Sequence, residues 1–268
     1  MRGLPMIRVL HVSDLHFSQD PQNNNEILKL TDKVYKAGFG ENDHLLISGD
    51  VADDGDPLQF KNAVKGLKAF APRILAVPGN HDYGPIGNGY SAASAKYFDA
   101  NFLPALSIPG PYMKKTTPVV KVLDDGKGTK VLTVGLNSNL MTTTVLDFAR
   151  GEVGGPQLKA LEGVLTSADY AGMPRLVYLH HRPQPCNIFL ALRDYEDFMA
   201  VVQNRVDVVC FGHTGGDMQA KEPTAARVMT VEPRPFGVKY LLNANSSVEA
   251  RKYYEIAFDG TAVKVAVK

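Results

Sequence analysis

Three observations predict an α/β layered fold for this 268-residue chain. Short apolar runs rich in β-branched residues recur, stretches with helical periodicity lie between them, and the runs pass at once into polar clusters. The strands expected are Ile7 to Val12, His44 to Ile47, Ile74 to Val77, Val131 to Leu136, Leu176 to Leu179 and Val206 to Phe211. Each is apolar on both faces, as in a sheet covered by helices on either side. Helices are expected over Asn24 to Ala37, Leu58 to Phe70, Gln157 to Leu165 and Ile188 to Val202, with glycine or proline near several ends. The segment DDGKGTK, Asp124 to Lys130, reads as a hairpin turn joining Val119–Leu123 to Val131–Leu136. It is not a phosphate-binding P-loop, because the GxxxxGK[ST] spacing is absent.

Two regions are less regular. Tyr83 to Pro118 is rich in Gly, Pro, Ser and Tyr and long for a plain connection, which suggests a lid or a small flanking lobe. Residues 224–268 carry strand patterns at Arg227 to Val231, Gly237 to Leu242, Lys252 to Phe258 and Ala262 to Val267, read as consecutive C-terminal hairpins without room for helices. The length suits a single domain over residues 1–268.

Composition narrows the function. With 29 Lys plus Arg against 28 Asp plus Glu, the chain has no overall field to collect a polyanion or an anionic membrane. No apolar run approaches the roughly 18 residues of a membrane span, and the N-terminal MRGLPMIRVLHVSD is too quickly charged for a secretory leader, so a cytoplasmic address is expected. Cys186 and Cys210 are too few for a disulfide framework and read as reduced bystanders. The seven histidines are the informative count.

Five strand ends run into clusters: Ser13-Asp14-Leu15-His16, Ser48-Gly49-Asp50, Pro78-Gly79-Asn80-His81-Asp82, His180-His181-Arg182-Pro183 and Gly212-His213-Thr214-Gly215. In an open α/β sheet such ends form the ligand crevice, so the clusters should meet. Asp14 and His16, two apart in an extended chain, point to one side and can face one cation. Gly49 lets the chain approach a crowded centre, and the Asp50 carboxylate has two oxygens with which to bridge two cations. Asn80 offers an amide oxygen, while His81 suits a proton donor with Asp82 holding it. His180 and His181 end a buried strand and face His213 across another. Imidazole and carboxylate donors without thiolate suit zinc, iron or manganese in a catalytic site. Two such ions about 3.5–4 Å apart clamp a phosphoryl group and generate hydroxide near neutral pH. Taken singly, each cluster is more often a polar loop or a structural histidine; the ordered set carries the weight.

That ordered set, D-x-H, GD, GNHD, HH and GH after successive strands, resembles the calcineurin-like metallophosphoesterases from Asp14 to Gly215. HVSDLHF, VPGNHDY and LHHRPQP are most similar to the bacterial cyclic-nucleotide phosphodiesterase and glycerophosphodiesterase branch. The resemblance implies a four-layer α/β/β/α sandwich with a dinuclear site at one edge. It places Asp14, His16 and Asp50 on the first metal, with Asp50 bridging, and Asn80, His180 and His213 on the second. His181 is then behind His180, the reverse being the alternative. His81 is implied to neutralise the attacked phosphate or protonate the leaving alkoxide, oriented by Asp82.

One position departs from the family pattern: GHxH would put a histidine where this chain has Gly215. A weak first site, replacement by Asp217 or water, or nucleotide binding with little turnover are the consequences to distinguish. A similar His-to-Gly change marks the animal branch, whose members resemble nucleotide-binding proteins with little activity. Hydrolysis of a cyclic nucleotide or other small phosphodiester by metal-activated hydroxide is the leading expectation; the alternative is a degenerate nucleotide-binding protein. A DNA nuclease is disfavoured by the neutral charge and compact length. Arg150, Arg182 and Arg193 lie in or near site-forming loops, where arginines are nonetheless more often solvated. The expected partner is a small phosphodiester or nucleotide, with no extended nucleic acid and no membrane, and a homodimer is compatible with the sequence.

Overall fold

The computed structural model describes residues 6–87, 89–141, 149–184, 190–213, 230–231, 237–245 and 247–268. Two mixed sheets lie face to face. The first has the order β11-β10-β1-β2-β3, from strands β1 (Ile7–Val12), β2 (Asp43–Ile47), β3 (Ile74–Ala76), β10 (Tyr254–Asp259) and β11 (Ala262–Val267). The second has the order β4-β5-β6-β7-β9-β8, from β4 (Val119–Asp124), β5 (Lys130–Gly135), β6 (Arg175–Tyr178), β7 (Val208–Phe211), β8 (Thr230–Val231) and β9 (Tyr240–Asn243). The inner strands β1-β2-β3 and β5-β6-β7-β9 run parallel, so their C-terminal ends gather along one edge.

Alternation along the second sheet sorts its side chains between two cores. Val131, Leu176, Tyr178, Val208 and Cys210 share a cluster with the first sheet. The alternate residues Leu132, Val134, Val177, Leu179, Val209 and Phe211 instead pack with Leu158, Leu161 and Leu165 of α6 (Gly155–Thr166) and with Phe198, Met199 and Val202 of α7 (Tyr195–Val202). On the other side, α1 (Asn25–Lys36) and α2 (Pro57–Leu67) bury Ile27, Leu30, Val34, Phe60, Ala63 and Leu67 in the first cluster. Helices therefore flank both sheets, in the four-layer arrangement expected. α2 begins one residue before the expected Leu58: Pro57 opens the helix, and the Asp56 carboxylate accepts from Leu58 N while Gln59 accepts from Asp56 N.

The expected strands before residue 224 and after residue 250 lie within two residues of their predicted positions, whereas β9 begins three residues after the expected Gly237 and residues 227–229 of the strand expected from Arg227 lie outside the described residues. The helix α3 (Asn80–Tyr83) leads into the segment 83–118, where α4 (Ala92–Tyr97), a π-helical turn (Phe98–Phe102) and α5 (Leu103–Ala105) follow, and Tyr83, Phe98 and Phe102 enter the same core as the first sheet. The helix expected from Ile188 starts later, at Tyr195. Ahead of it Leu192 pairs with Gly151, and the Asp194 carboxylate takes the amides of Val153 and Gly154, so this stretch is tied to a loop before the helix can begin. Residues 188–189 lie outside the described residues.

The C-terminal region also differs in part. β10 and β11 form the expected hairpin around Asp259-Gly260, and β8 lies antiparallel to β9. β9, however, is also a parallel neighbour of β7, and the chain then crosses to the first sheet through a short helix, α8 (Ser247–Ala250). A tight turn cannot make this crossing, because face-to-face sheets stand about 10 Å apart. Among the described residues no helix is long and apolar enough to cross a membrane.

Candidate metal centre

The parallel pairing of β1 and β2 continues past both strands. Asp14 N donates to Gly49 O, His16 N to Asp50 O and Phe17 N to Val51 O, at 3.1, 3.0 and 2.8 Å. The two acid-bearing loops are thus zipped side by side. Asp14, His16, Asp50 and His213 all have left-handed backbones, with φ of 55°, 49°, 50° and 70°. Extended alternation is therefore not what brings Asp14 and His16 to one side. Two left-handed turns do so, at a conformational cost of about 1–2 kcal/mol each.

Glycine permits the closest approaches. Gly49 has φ +98°, and a methyl group on it would overlap the His180 ring; one on Gly212 would overlap Ser13 Oγ and Asp14 Oδ2.

Donor atoms converge on two overlapping clusters that share Asp50: Asp50, His180 and His213 in one, Asp14, His16 and Asp50 in the other. His180 Nε2 lies 2.9 Å from Asn80 Oδ1, 3.2 Å from Asp50 Oδ2 and 3.2 Å from His213 Nδ1. Its Nδ1 donates to Ser48 O at 2.8 Å, which fixes Nε2 toward the cluster. Asn80 is oriented likewise, since Nδ2 donates to Gly87 O at 2.9 Å and leaves the amide oxygen facing His180. One N–H proton at Nε2 cannot satisfy three acceptors, whereas a cation held among them could. The donor set of carboxylate, amide oxygen and imidazole thus fits a borderline divalent ion. His16 Nε2 is 3.8 Å from Asp50 Oδ2, and His213 N donates to the Asp14 carboxylate at 3.2 Å.

His181 stands outside both donor clusters. Ser138 Oγ accepts from the amides of His180 and His181 and has its hydroxyl proton left for His181 Nδ1 at 2.9 Å. The ring is buried 4.4 Å from that of His213. His81 donates from Nδ1 to the carbonyl of Asp53 at 2.6 Å. Asp82 does not orient that ring: its carboxylate is fully buried and accepts from the amides of Val51, Ala52 and Gly79 at 3.2, 2.8 and 2.8 Å. The reason is geometric, for Gly79 caps a helical turn, Asn80–Tyr83, whose third residue, Asp82, caps the start of the turn and clamps the neighbouring Asp50 loop.

Asp53 was hidden in the sequence among Asp54 and Asp56. Its carboxylate lies 3.3 Å from His16 Nδ1, and His16, Asp53 and His81 form a third cluster of potential donors. The signal that finds it is register: the same offset that pairs Val12 with Ile47 pairs Phe17 with Ala52, which sets Asp53 beside His16.

Without bound cations the carboxylates draw protons onto the imidazoles. Burial pushes His180 down, but the Asp50 and Asp14 charges reverse this and hold it at about 9. His16 is likewise opposed by burial and raised to about 9 by Asp53, Asp50 and Asp14. Burial and the neighbouring His180 charge push His213 down to about 3. Burial would raise Asp50, yet His180 beside it holds the carboxyl well below its usual value. Burial and the Asp50 charge push Asp82 up to about 7.

The model of the calcineurin-like phosphoesterase family matches residues 7–217 of this chain. The chain belongs to this family. It is 25% identical over 230 residues to a Coxiella burnetii protein named probable cyclic nucleotide phosphodiesterase, covering 79% of this chain and 77% of that one. It is 26% identical over 191 residues to the 3′,5′-cyclic adenosine monophosphate phosphodiesterase CpdA of Escherichia coli K12, covering 69% of this chain and 58% of CpdA. The aligned part is thus little more than half of that relative. Among solved structures, the calcineurin-like phosphoesterase YfkN of Bacillus subtilis matches with a TM-score of 0.55 at 14% identity, over 99% of this chain and 91% of that one. The phosphopantetheinyl hydrolase PptH of Mycobacterium tuberculosis matches with a TM-score of 0.53 at 14% identity, over 91% and 90%. These two likenesses establish the phosphoesterase fold.

Gly215, Asp217 and Cys186 lie outside the described residues. Cys210 is buried in β7, remote in character from any thiolate ligand.

Proposed function

We propose that this phosphoesterase hydrolyses a small phosphodiester, with cyclic nucleotides as the leading substrate class, at a dinuclear metal centre. The observation that carries the reading is the meeting of two donor clusters at Asp50, with His180, His213 and Asn80 on one side and Asp14 and His16 on the other. Asp14, His16 and Asp50 would hold one ion, and Asp50, Asn80, His180 and His213 the other, with His181 packed behind. Manganese, iron or zinc suit these donors. Bound there, the ions supply Lewis acidity toward the phosphoryl oxygens and a strong nucleophile near neutral pH.

The remaining work falls to the protein. The Asp53 carbonyl occupies His81 Nδ1, so Nε2 is the atom left for substrate. As the P–O bond to the leaving group breaks, protonated His81 gives its Nε2 proton to the departing oxygen and keeps the proton on Nδ1. Asp82 holds the Asp50 and His81 loops together through three main-chain amides, which keeps the proton donor in register with the bridging carboxylate. The names of the Coxiella and E. coli relatives support the cyclic-nucleotide class.

The test is hydrolysis of bis(p-nitrophenyl) phosphate and of 3′,5′-cyclic AMP with added Mn²⁺. Asp50→Asn and His213→Ala should each lower kcat/KM at least 100-fold. Unchanged rates in both variants would remove the site from the reaction.

Gly215 favours a second reading, a nucleotide-binding protein with little turnover, because the family's corresponding histidine has no counterpart here. A silent wild type made active by Gly215→His would establish it.

A further inference from the structure

The second sheet carries a cleft at the end opposite the metal centre. At the starts of β6, β7 and β9 lies a concavity of about 320 Å³, walled by the loops that lead into these strands and by Thr261 in the turn between β10 and β11. Arg175, Arg205 and Lys239 line it with one carboxylate, Asp207. We infer that this cleft is a second binding site, for a small phosphate monoester, and that the Arg175 guanidinium grips the phosphate.

The walls are fixed by the strand starts themselves. Asp207 N donates to Arg175 O at 3.0 Å, Arg175 N to the Asp207 carboxylate at 2.8 Å and Tyr240 N to Asp207 O at 2.9 Å, which ties the three strands together. Both oxygens of the acid are engaged, one by the Arg175 amide and the other by Lys239 Nζ at 2.5 Å. Arg175 Nη1 donates to Arg205 O at 3.1 Å, while its Nε–H is buried and meets no acceptor among the described residues. A buried donor without an acceptor is costly to keep, and an anion oxygen would satisfy it. Arg205 pairs with Glu162 at 3.3 Å, but that acid lies outside the lining and is 51% exposed, so water screens it.

Three cations against one acid leave the lining two positive charges in excess. A phosphate monoester, at about −1.5 to −2 near neutral pH, matches that excess better than a diester, which has a single ionised oxygen. A guanidinium fork meets such an oxyanion through two parallel hydrogen bonds. The volume falls within the roughly 300–1,000 Å³ of small-molecule sites, so the phosphate has room to carry an organic group. β6 and β7 are four residues long, about 13 Å at 3.3 Å per residue, and His180 and His213 follow their far ends, so a ligand in the cleft touches no metal ligand. Diester hydrolysis releases a monoester; equating the ligand with that product rests on the reading above, whereas the anion site does not.

Calorimetric titration of the full-length protein with adenosine 5′-monophosphate, inorganic phosphate and 3′,5′-cyclic AMP, before and after chelator treatment, tests the assignment. In chelated protein, where no metal can hold phosphate, the monophosphate should bind one site, at least about 10-fold more tightly than cyclic AMP and more tightly than inorganic phosphate. Arg175→Ala and Lys239→Ala should each weaken it at least about 10-fold, and Arg175→Lys, which keeps the charge but loses the fork, should recover only part of the loss. Hydrolysis of bis(p-nitrophenyl) phosphate with Mn²⁺ should stay within about twofold of wild type in all three variants. Lys239 is 59% exposed, so its replacement tests the site even if Arg175→Ala fails to fold. No binding to the chelated protein, or binding that survives both alanine substitutions, would overturn the site. Equal affinity for the monophosphate and either of the other two ligands would overturn the assignment to a monoester. A wild type that cleaves no diester yet binds the monophosphate through Arg175 would defeat the hydrolytic reading and leave the site standing.

Discussion

At the scale of residues, the site consists of groups whose charges are balanced only in company. His16 and His180 sit near 9 because Asp14, Asp50 and Asp53 surround them. Both values lie above the ordinary imidazole value of about 6.5, so the stability they lend the metal-free chain is complete below about pH 6.5 and is lost as pH rises through about 9. Metal ions compete with the same protons, so metal uptake should strengthen over that interval. Melting temperatures of chelator-treated protein should therefore fall by about 3–8 °C from pH 6.5 to 9, while apparent Mn²⁺ affinity increases. Melts that stay level across the range would contradict these assignments. The sequence singled out Asp14, His16, Asp50, Asn80, His81, His180 and His213 as residues of strand ends that should meet, and the ends that carry them do lie together. It misread the duty of Asp82 and passed over Asp53, since main-chain acceptors and loop register leave no trace in residue type.

At the scale of elements, the strand ends act as rigid arms and the glycines between them as clearances. Gly212 lets the exit of β7 lie against Ser13 and Asp14 at the exit of β1. Gly212→Ala should push the two exits apart, weakening Mn²⁺ binding at least about 10-fold in calorimetry while the chain still folds. Phe198→Ala on α7 makes the opposite demand: the ring is fully buried in the outer core, away from the donor clusters. It should cost about 3–5 kcal/mol in urea denaturation and leave Mn²⁺ affinity unchanged. If the two variants behaved alike, the separation between outer core and site would be lost. Periodicity located the strands and most of the helices well. It failed at α7, where loop contacts from Leu192 and Asp194 shorten the helix, and between β9 and β10, where the chain must change sheets.

At the scale of the whole molecule, the near-neutral charge gives no overall field to collect a polyanion, and the proposed substrate is a small diester. The rate constant for bis(p-nitrophenyl) phosphate should change less than about threefold between 50 and 300 mM NaCl. A steep decline in log rate against log salt on single-stranded DNA, with faster turnover than on the small diester, would point to a polynucleotide substrate instead. The sequence by itself determined the layered α/β class, the order of the polar clusters and the family, because these depend on local periodicity and on residue types at fixed spacing. Only the tertiary structure decided which atoms face one another: that His180 rather than His181 meets Asp50 and Asn80, that Asp82 clamps main-chain amides, and that Asp53 reaches two histidines. Those choices depend on left-handed turns, strand register and the packing of two sheets, which bring together groups far apart in sequence, such as the His213 amide and the Asp14 carboxylate, 199 positions apart.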